Sequence, residues 1–199
     1  MNFNELKKTL KKDYSGVWSF LKSSQNFVWC GILVFFLFVF LGAFLKIPDE
    51  ISVQLLDYFK DLVKMTEGYG SIKMVLFIFF NNLKASFFGM VLGIFFGVIP
   101  LFYLLANGFV LGFASRFAVA QEGIFSLWRL LPHGIFELPA VFISLGLGLK
   151  IGSSLFEKKD KKKKLKGYFL ESLKVFALIV LLLLLIAAII EGLLINLIS

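Results

Sequence analysis

The stretch MVLFIFFNNLKASFFGMVLGIFFGVIPLFYLLANGFVLGFAS, residues 74–115, decides the fold class of this chain. It runs for 42 residues with a single charged side chain, Lys84. One straight helix of that length would extend about 60 Å, roughly twice the thickness of a bilayer's hydrocarbon core. We therefore predict two membrane-spanning helices, 74–96 and 98–115. We predict a very tight turn between them near Gly97–Pro100, because Pro100 has no N–H for the backbone hydrogen bonds of a continuous helix.

The composition of the whole chain agrees with a membrane protein. Of its 199 residues, 59% are hydrophobic and 26 are phenylalanine, more apolar surface than a soluble domain of this length could bury. Three further apolar stretches, 27–45, 132–152 and 172–195, are long enough to cross a bilayer. The prediction is an all-α, polytopic helical membrane protein with about five transmembrane helices in a single domain, residues 27–199.

Two amphipathic helices are predicted beside these spans. The amino-terminal lead, residues 1–26, contains a basic helix over 3–21, with apolar residues on one face and lysines on the other. The stretch IPDEISVQLLDYFKDLVK, residues 47–64, carries a second apolar stripe and acidic residues at its start. Both helices are expected to lie in the membrane interface.

The charges predict the topology. The net charge is +8, and seven lysines lie within 158–166, inside a polybasic loop at 157–167. Lysines beside spans mark the cytoplasmic side, and four crossings separate the basic lead from this loop. We expect a multi-pass protein of the cell membrane with a cytoplasmic N-terminus and an external C-terminus. Lysines beside apolar spans favour the lipid bilayer, with anionic lipid at the lysine block, as the partner, and no nucleic acid.

The fourth span begins with an unusual group of polar residues and prolines, PHGIFELPA at 132–140. His133 and Glu137 share one helix face, being four residues apart. Pro132 suits a first helical turn, whereas Pro139 leaves a backbone carbonyl without its donor. We predict helix breaks at Pro100, Pro132 and Pro139.

Ionisable groups inside a membrane normally face the protein interior and have partners. Candidate partners from other spans are Asn81, Asn82 and Asn107, and we call these three residues with His133 and Glu137 the polar knot. Further polar residues that could approach it are Lys84, Arg129 and Glu191.

Three interpretations of the polar knot remain open. In the first it fixes helix packing, in the second it forms a transport or ligand site at a broken helix, and in the third it supplies a metal site or acid–base pair for hydrolysis. His133 and Glu137 alone are too few metal ligands, and HGIFE lacks the HExxH spacing. We predict no catalytic residue, no metal and no cofactor.

Glycines recur at helical spacing in the second and third spans. Small residues let helices approach closely, which is what holds helices together in lipid. Such faces can pack within the chain or between copies, and we expect a homo-oligomer that uses them. The glycines concerned are Gly89, Gly93, Gly97, Gly108 and Gly112.

Together these motifs resemble the stage II sporulation protein M family of integral membrane proteins. The resemblance covers roughly residues 75–152 and rests mainly on the block PHGIFELPA. The other matching motifs are NN (81–82), GIFFGVIPL (93–101), NG (107–108) and GLGL (146–149). It implies a five-span, non-enzymatic membrane component. It also implies a scaffold for partner enzymes that degrade peptidoglycan, although relatives occur in organisms that form no spores.

The predicted function is a membrane scaffold that organises envelope-remodelling partners, with the polar knot holding the helices in place. Two alternatives make different structural demands. A small transporter or channel requires a water-accessible cavity between spans two, three and four. An intramembrane metal-dependent hydrolase requires at least one further ligand close to His133 and Glu137.

Overall fold

The computed structural model describes the backbone of residues 14–198, and the side chains of those residues except 129–134, 136 and 192–198. Over this range the chain is predominantly helical and contains no strand. The helices, in chain order, are α1 (14–23), α2 (Gln25–Phe44), α3 (Asp49–Thr66), α4 (Ser71–Val91), α5 (Val98–Glu122), α6 (Leu131–Ser153), α7 (Lys161–Val175) and α8 (Leu181–Ile198). Residues 3–13 of the predicted basic helix lie outside the described range.

Within residues 14–198, five helices are long and apolar enough to cross a membrane, which confirms the predicted fold class. They cover Gln25–Phe44, Ser71–Ile94, Val98–Glu122, Glu137–Phe156 and Lys161–Glu191. The last is 31 residues long because a π-helical turn joins α7 to α8 without a break. Since about 20 residues cross a bilayer, the lysine-rich start of α7 extends beyond the apolar layer.

The spans alternate in direction between two ends of the bundle. The lysine end contains α1 and the lysines of 158–166, and the α3 end contains α3. Glycine contacts show that α2 and α5 run parallel, as do α4 and α6. The main helix contacts are between α2 and α5 and among α4, α6 and α8, whereas α4 and α5 make few direct contacts with each other.

Close glycine contacts join these parallel pairs. A methyl group added at Gly93 would overlap the backbone of Gly148, and one at Gly112 would overlap that of Val39. Gly89, Gly97 and Gly108 likewise face side chains or backbone of neighbouring helices in the same chain. The glycines are therefore occupied by contacts within one chain. A contact between copies would use other surfaces, and the homo-oligomer stays a prediction.

The break between the second and third spans lies at Phe96 and Gly97, at the predicted boundary between 74–96 and 98–115, whereas Pro100 itself does not break a helix. Phe96 and Gly97 have φ values of 56° and 73°, in the left-handed region. Glycine adopts this conformation without steric cost, whereas a residue with a Cβ pays roughly 1–2 kcal/mol. Pro100 is fully buried in the first turn of α5, where its missing N–H removes no helical hydrogen bond.

In the fourth span the predicted break at Pro139 is not formed, whereas Pro132 lies in the first helical turn as predicted. Pro132 is the second residue of α6, and α6 continues through Pro139 to Ser153 as one helix. Proline is tolerated within a transmembrane helix because local adjustments satisfy the freed carbonyl while neighbouring helices hold the two sides in line.

A buried lysine at the lysine end was missed by the sequence analysis. Lys150 of α6 is 5% exposed, and its Nζ donates hydrogen bonds to Ser23 Oγ at 2.7 Å and Ser24 Oγ at 2.9 Å. The same nitrogen lies 4.1 Å from the ring centre of Phe20 and 5.1 Å from that of Tyr168. Lys150 thus ties α1, α6 and α7 together. Its only signal in the sequence is a lone charge in an apolar span.

Replacing Lys150 with alanine is expected to lower the free energy of unfolding by about 2–4 kcal/mol, because it removes two charge-assisted hydrogen bonds and the packing of a buried stem. Thermal unfolding in detergent measures the change. Lys46→Ala, at an exposed position after α2, is the control and should melt like the wild type. Equal melting temperatures of the Lys150 and Lys46 variants would show that the hydrogen bonds and packing of Lys150 do not stabilise the fold.

Candidate functional site: a polar cavity near the α3 end

A cavity of about 460 Å³ lies between α4, α5, α6 and α8, toward the α3 end. Its wall contains amides, carboxylates and hydroxyls in a region otherwise built from apolar side chains. We call it the polar cavity and define it by the polar residues that line it: Asn81, Asn82, Ser86, Tyr103, Asn107, Glu137 and Glu191. Its position between membrane-spanning helices makes it the candidate site.

Helical periodicity places these side chains together. Asn82 and Ser86 lie four residues apart on α4, as do Tyr103 and Asn107 on α5, so each pair shares a helix face. The Asn107 Nδ2 donates a hydrogen bond to the backbone carbonyl of Tyr103 at 2.8 Å, which orients the amide. Because α4 and α5 make few contacts with each other, their polar faces line a gap between the two helices and do not form a packed interface.

Glu137 supplies a carboxylate from α6. It is 6% exposed and lies on the cavity wall next to Leu138 and Val141 of the same helix. A carboxylate buried this deeply between membrane-spanning helices is costly, and such groups usually mark a functional position. Glu191 of α8 is half-buried on the same wall.

Ser86 has a buried hydroxyl on the cavity wall. The side chain is 1% exposed, and its Oγ has no hydrogen-bond partner among the described residues. Its backbone carbonyl accepts a hydrogen bond from Ser144 Oγ at 2.7 Å, a contact that joins α6 to α4. A buried hydroxyl with no protein partner on a cavity wall is a donor and acceptor for a bound group.

The amphipathic helix α3 lies across the cavity. Phe59 and Leu62 of its apolar stripe line the cavity and are half-buried, while none of its residues is fully buried. Few contacts hold α3 to the rest of the bundle. The cavity is thus covered by a helix that makes few contacts with the core.

Toward the lysine end the cavity is closed. Gly89 packs against the Leu145 side chain, and Met90, Leu104 and Leu147 are completely buried below it. Asn81 and Asn107 on the walls are exposed. The cavity is therefore reached from the α3 end or from the side, between α4 and α5.

The structure brings together Asn81, Asn82, Asn107 and Glu137, four of the five predicted members of the polar knot. The fifth, His133, lies in α6, but its side chain is outside those described, as is that of Arg129. Lys84 does not line the cavity; it lies in a neighbouring groove.

Sequence analysis missed Tyr103 and Ser86 on the cavity wall. Their signal was present in the spacing, since each lies four residues before or after a predicted asparagine. Among the side chains that the structure describes, no group of three or more His, Cys, Asp or Glu could hold a metal ion.

Comparison with known proteins identifies the family. The family model for stage II sporulation protein M matches residues 31–194. The chain belongs to the stage II sporulation protein M family. The matched region contains every polar residue of the cavity, so the cavity lies within the part of the chain that defines the family. The resemblance seen in the sequence motifs is thereby confirmed.

Two relatives are archaeal. The uncharacterized protein MJ0706 of Methanocaldococcus jannaschii is 28% identical over 193 residues, which cover 94% of this chain and 86% of the relative. The uncharacterized protein MJ0793 of the same organism is 35% identical over 115 residues, covering 56% of this chain and 65% of the relative. No solved structure matches the chain.

Proposed function

We propose that this stage II sporulation protein M family member is a non-enzymatic membrane protein that organises envelope partners. In this proposal the polar cavity receives a polar group carried by a partner's membrane-spanning segment. The observation that carries it is a cavity of about 460 Å³ with a polar wall, set among helices long enough to cross a membrane and closed at the lysine end. A site open on one side and closed on the other suits binding more than passage.

The chemistry of the wall indicates the partner's group. The carboxylates of Glu137 and Glu191 accept hydrogen bonds, and the amides and hydroxyls of the wall both accept and donate. This set complements a lysine, arginine, asparagine or glutamine side chain on a partner helix. In lipid, polar contacts between helices give specificity because the alternative is a polar group facing hydrocarbon.

In the proposed orientation the polar cavity faces the outer side of the cell membrane, where we expect the envelope partners. The lysines of the amino-terminal lead and of 158–166 put the lysine end in the cytoplasm, and the α3 end outside. The polar cavity then lies in the outer half of the cell membrane. The amphipathic helix α3 would rest on the outer surface, with its apolar stripe over the cavity mouth.

A small transporter is the second candidate, because the cavity lies between the second, third and fourth spans as that function requires. Transport would need a second conformation in which the contacts of Gly89 and Gly93 with α6 open. Passage of a small cation through liposomes containing the protein, absent from liposomes without it, would favour transport over organisation.

Site-specific photo-crosslinking in native membranes tests the proposed function. A photoreactive amino acid replaces Asn107 in the cavity or, as control, Leu33 on α2. Leu33 is 71% exposed and lies at a similar depth, because Gly108 packs beside Phe35 in the parallel pair. We expect a defined protein adduct from position 107, reduced when Glu137 is changed to leucine, and none from position 33. Adducts of equal yield from both positions, or lipid adducts alone, would contradict the proposal.

A further inference from the structure

A second groove lies at the lysine end, in the corner between α1 and α2. Its volume is about 450 Å³, and α6 forms part of its floor. We call it the corner groove and define it by its lining residues: Trp18, Leu21, Lys22, Gln25, Val28, Trp29, Ile32 and Ile143. It lies at the opposite end of the bundle from the polar cavity and shares no residue with it.

The corner groove is polar at one end and apolar at the other. Lys22 and Gln25 lie where α1 meets α2, at the start of the first span. Val28 and Ile32 follow one and two turns farther into that span, and Ile143 of α6 adds to the apolar floor. A cation and an amide above an apolar channel match the two parts of an amphiphile.

Two tryptophans flank the corner groove. Trp18 and Trp29 are 66% and 61% exposed, large fractions for such residues. Tryptophan is enriched at the boundary between hydrocarbon and headgroups, where its ring lies in the apolar layer and its N–H is hydrated. Their positions set the level of the groove at this boundary, with Lys22 and Gln25 on the headgroup side.

The corner itself is held in a fixed shape. Ser23 and Ser24, which lie directly between Lys22 and Gln25 in the chain, accept the hydrogen bonds of the buried Lys150. Ser24 is completely buried. The groove walls are therefore set before any ligand arrives, which lowers the entropy cost of binding.

The charge of the corner groove selects its ligand. Lys22 is exposed, and no carboxylate of the described residues pairs with it. An exposed cation at the headgroup level favours an anionic lipid over a neutral surface. A buried protein interface would instead require a partner carboxylate, together with a larger apolar area than the groove offers.

We propose that the corner groove binds one anionic phospholipid. Lys22 and Gln25 contact the phosphate, and an acyl chain lies along Val28, Ile32 and Ile143. This site differs from the lysine block at 157–167, whose exposed lysines attract any anionic surface. It is independent of the function proposed for the polar cavity.

Quenching of tryptophan fluorescence by brominated lipids in liposomes tests this proposal. Trp128→Phe removes the third tryptophan, at the α3 end, so that Trp18 and Trp29 report on the corner groove. Brominated phosphatidylglycerol and brominated phosphatidylcholine are compared at the same mole fraction in a phosphatidylcholine bilayer. We expect a roughly fivefold preference for phosphatidylglycerol, which salt reduces.

Two further variants decide whether Lys22 carries this preference. Lys22→Gln should abolish it, whereas Lys161→Gln, at an exposed position in the lysine block, should retain it. Melting temperatures of both variants should equal that of the parent, since both lysines are exposed. Equal quenching by the two lipids in the parent protein, or equal loss of preference in both variants, would overturn the proposal.

Discussion

Replacing Gly93 with leucine is expected to prevent the helix bundle from forming. Any side chain at this position meets the backbone of Gly148 on α6, and a backbone cannot rotate aside as a side chain can. Overpacking a core typically costs about 1–3 kcal/mol, and this overlap should exceed that range. We expect the variant to aggregate or to show no cooperative thermal unfolding in detergent, as measured by size-exclusion chromatography and circular dichroism.

A glycine in open space provides the control for this prediction. Gly167 lies in α7 with nothing within 4 Å of an added Cβ. Gly167→Ala should leave the fold intact and raise stability by up to about 1 kcal/mol, since alanine favours helix more than glycine does. If Gly93→Leu melts like the wild type, α4 and α6 do not pack through this glycine contact.

Changing Glu137 to glutamine is expected to weaken partner binding while keeping the fold. Glutamine preserves the volume of the side chain and one acceptor oxygen, but it replaces the second oxygen with an NH2 donor and removes the charge. Charge-assisted hydrogen bonds are roughly twice as strong as neutral ones. The yield of the crosslink from position 107 should therefore fall about tenfold, equivalent to about 1.4 kcal/mol, with only a small change in melting temperature.

Ser144→Ala is the matched control for Glu137→Gln. Ser144 is also buried and polar on α6, but it bonds to the backbone of Ser86 and does not line the cavity. Its loss should cost about 1 kcal/mol of stability and leave the crosslink intact. The opposite pattern for Glu137→Gln, a large loss of stability with an unchanged crosslink, would support the interpretation that the polar knot serves helix packing.

The sequence predicted the spans well because length and apolar composition are enough to identify a membrane helix. The 42-residue stretch at 74–115 could not be one span, and the structure places a turn inside it. The turn was predicted near Gly97–Pro100, and it lies at Phe96 and Gly97, although Pro100 itself is inside α5. Proline signals a missing hydrogen bond, but the chain reverses where Phe96 and Gly97 adopt a left-handed backbone, which depends on contacts with α6.

The candidate site was predictable in its residue types more than in its shape. Buried amides and carboxylates are rare in apolar spans, so Asn81, Asn107 and Glu137 stand out from the sequence alone. Their common cavity depends on how far α4 and α5 separate, which no local pattern encodes. Ser86 and Lys150 were missed because serine is common in membrane helices and a single lysine near a span's end usually reaches the headgroups.

Cysteine accessibility at position 107 tests most directly whether the polar cavity admits water and ligands within the membrane. The native Cys30 is first changed to serine, and Asn107→Cys is compared with Leu33→Cys at similar depth on α2. We predict that a water-soluble thiol reagent modifies the cysteine at 107 and not the cysteine at 33, because a thiolate forms only where water reaches it. Failure to modify position 107, or equal modification of both positions, would contradict the claim that the polar cavity admits water within the membrane.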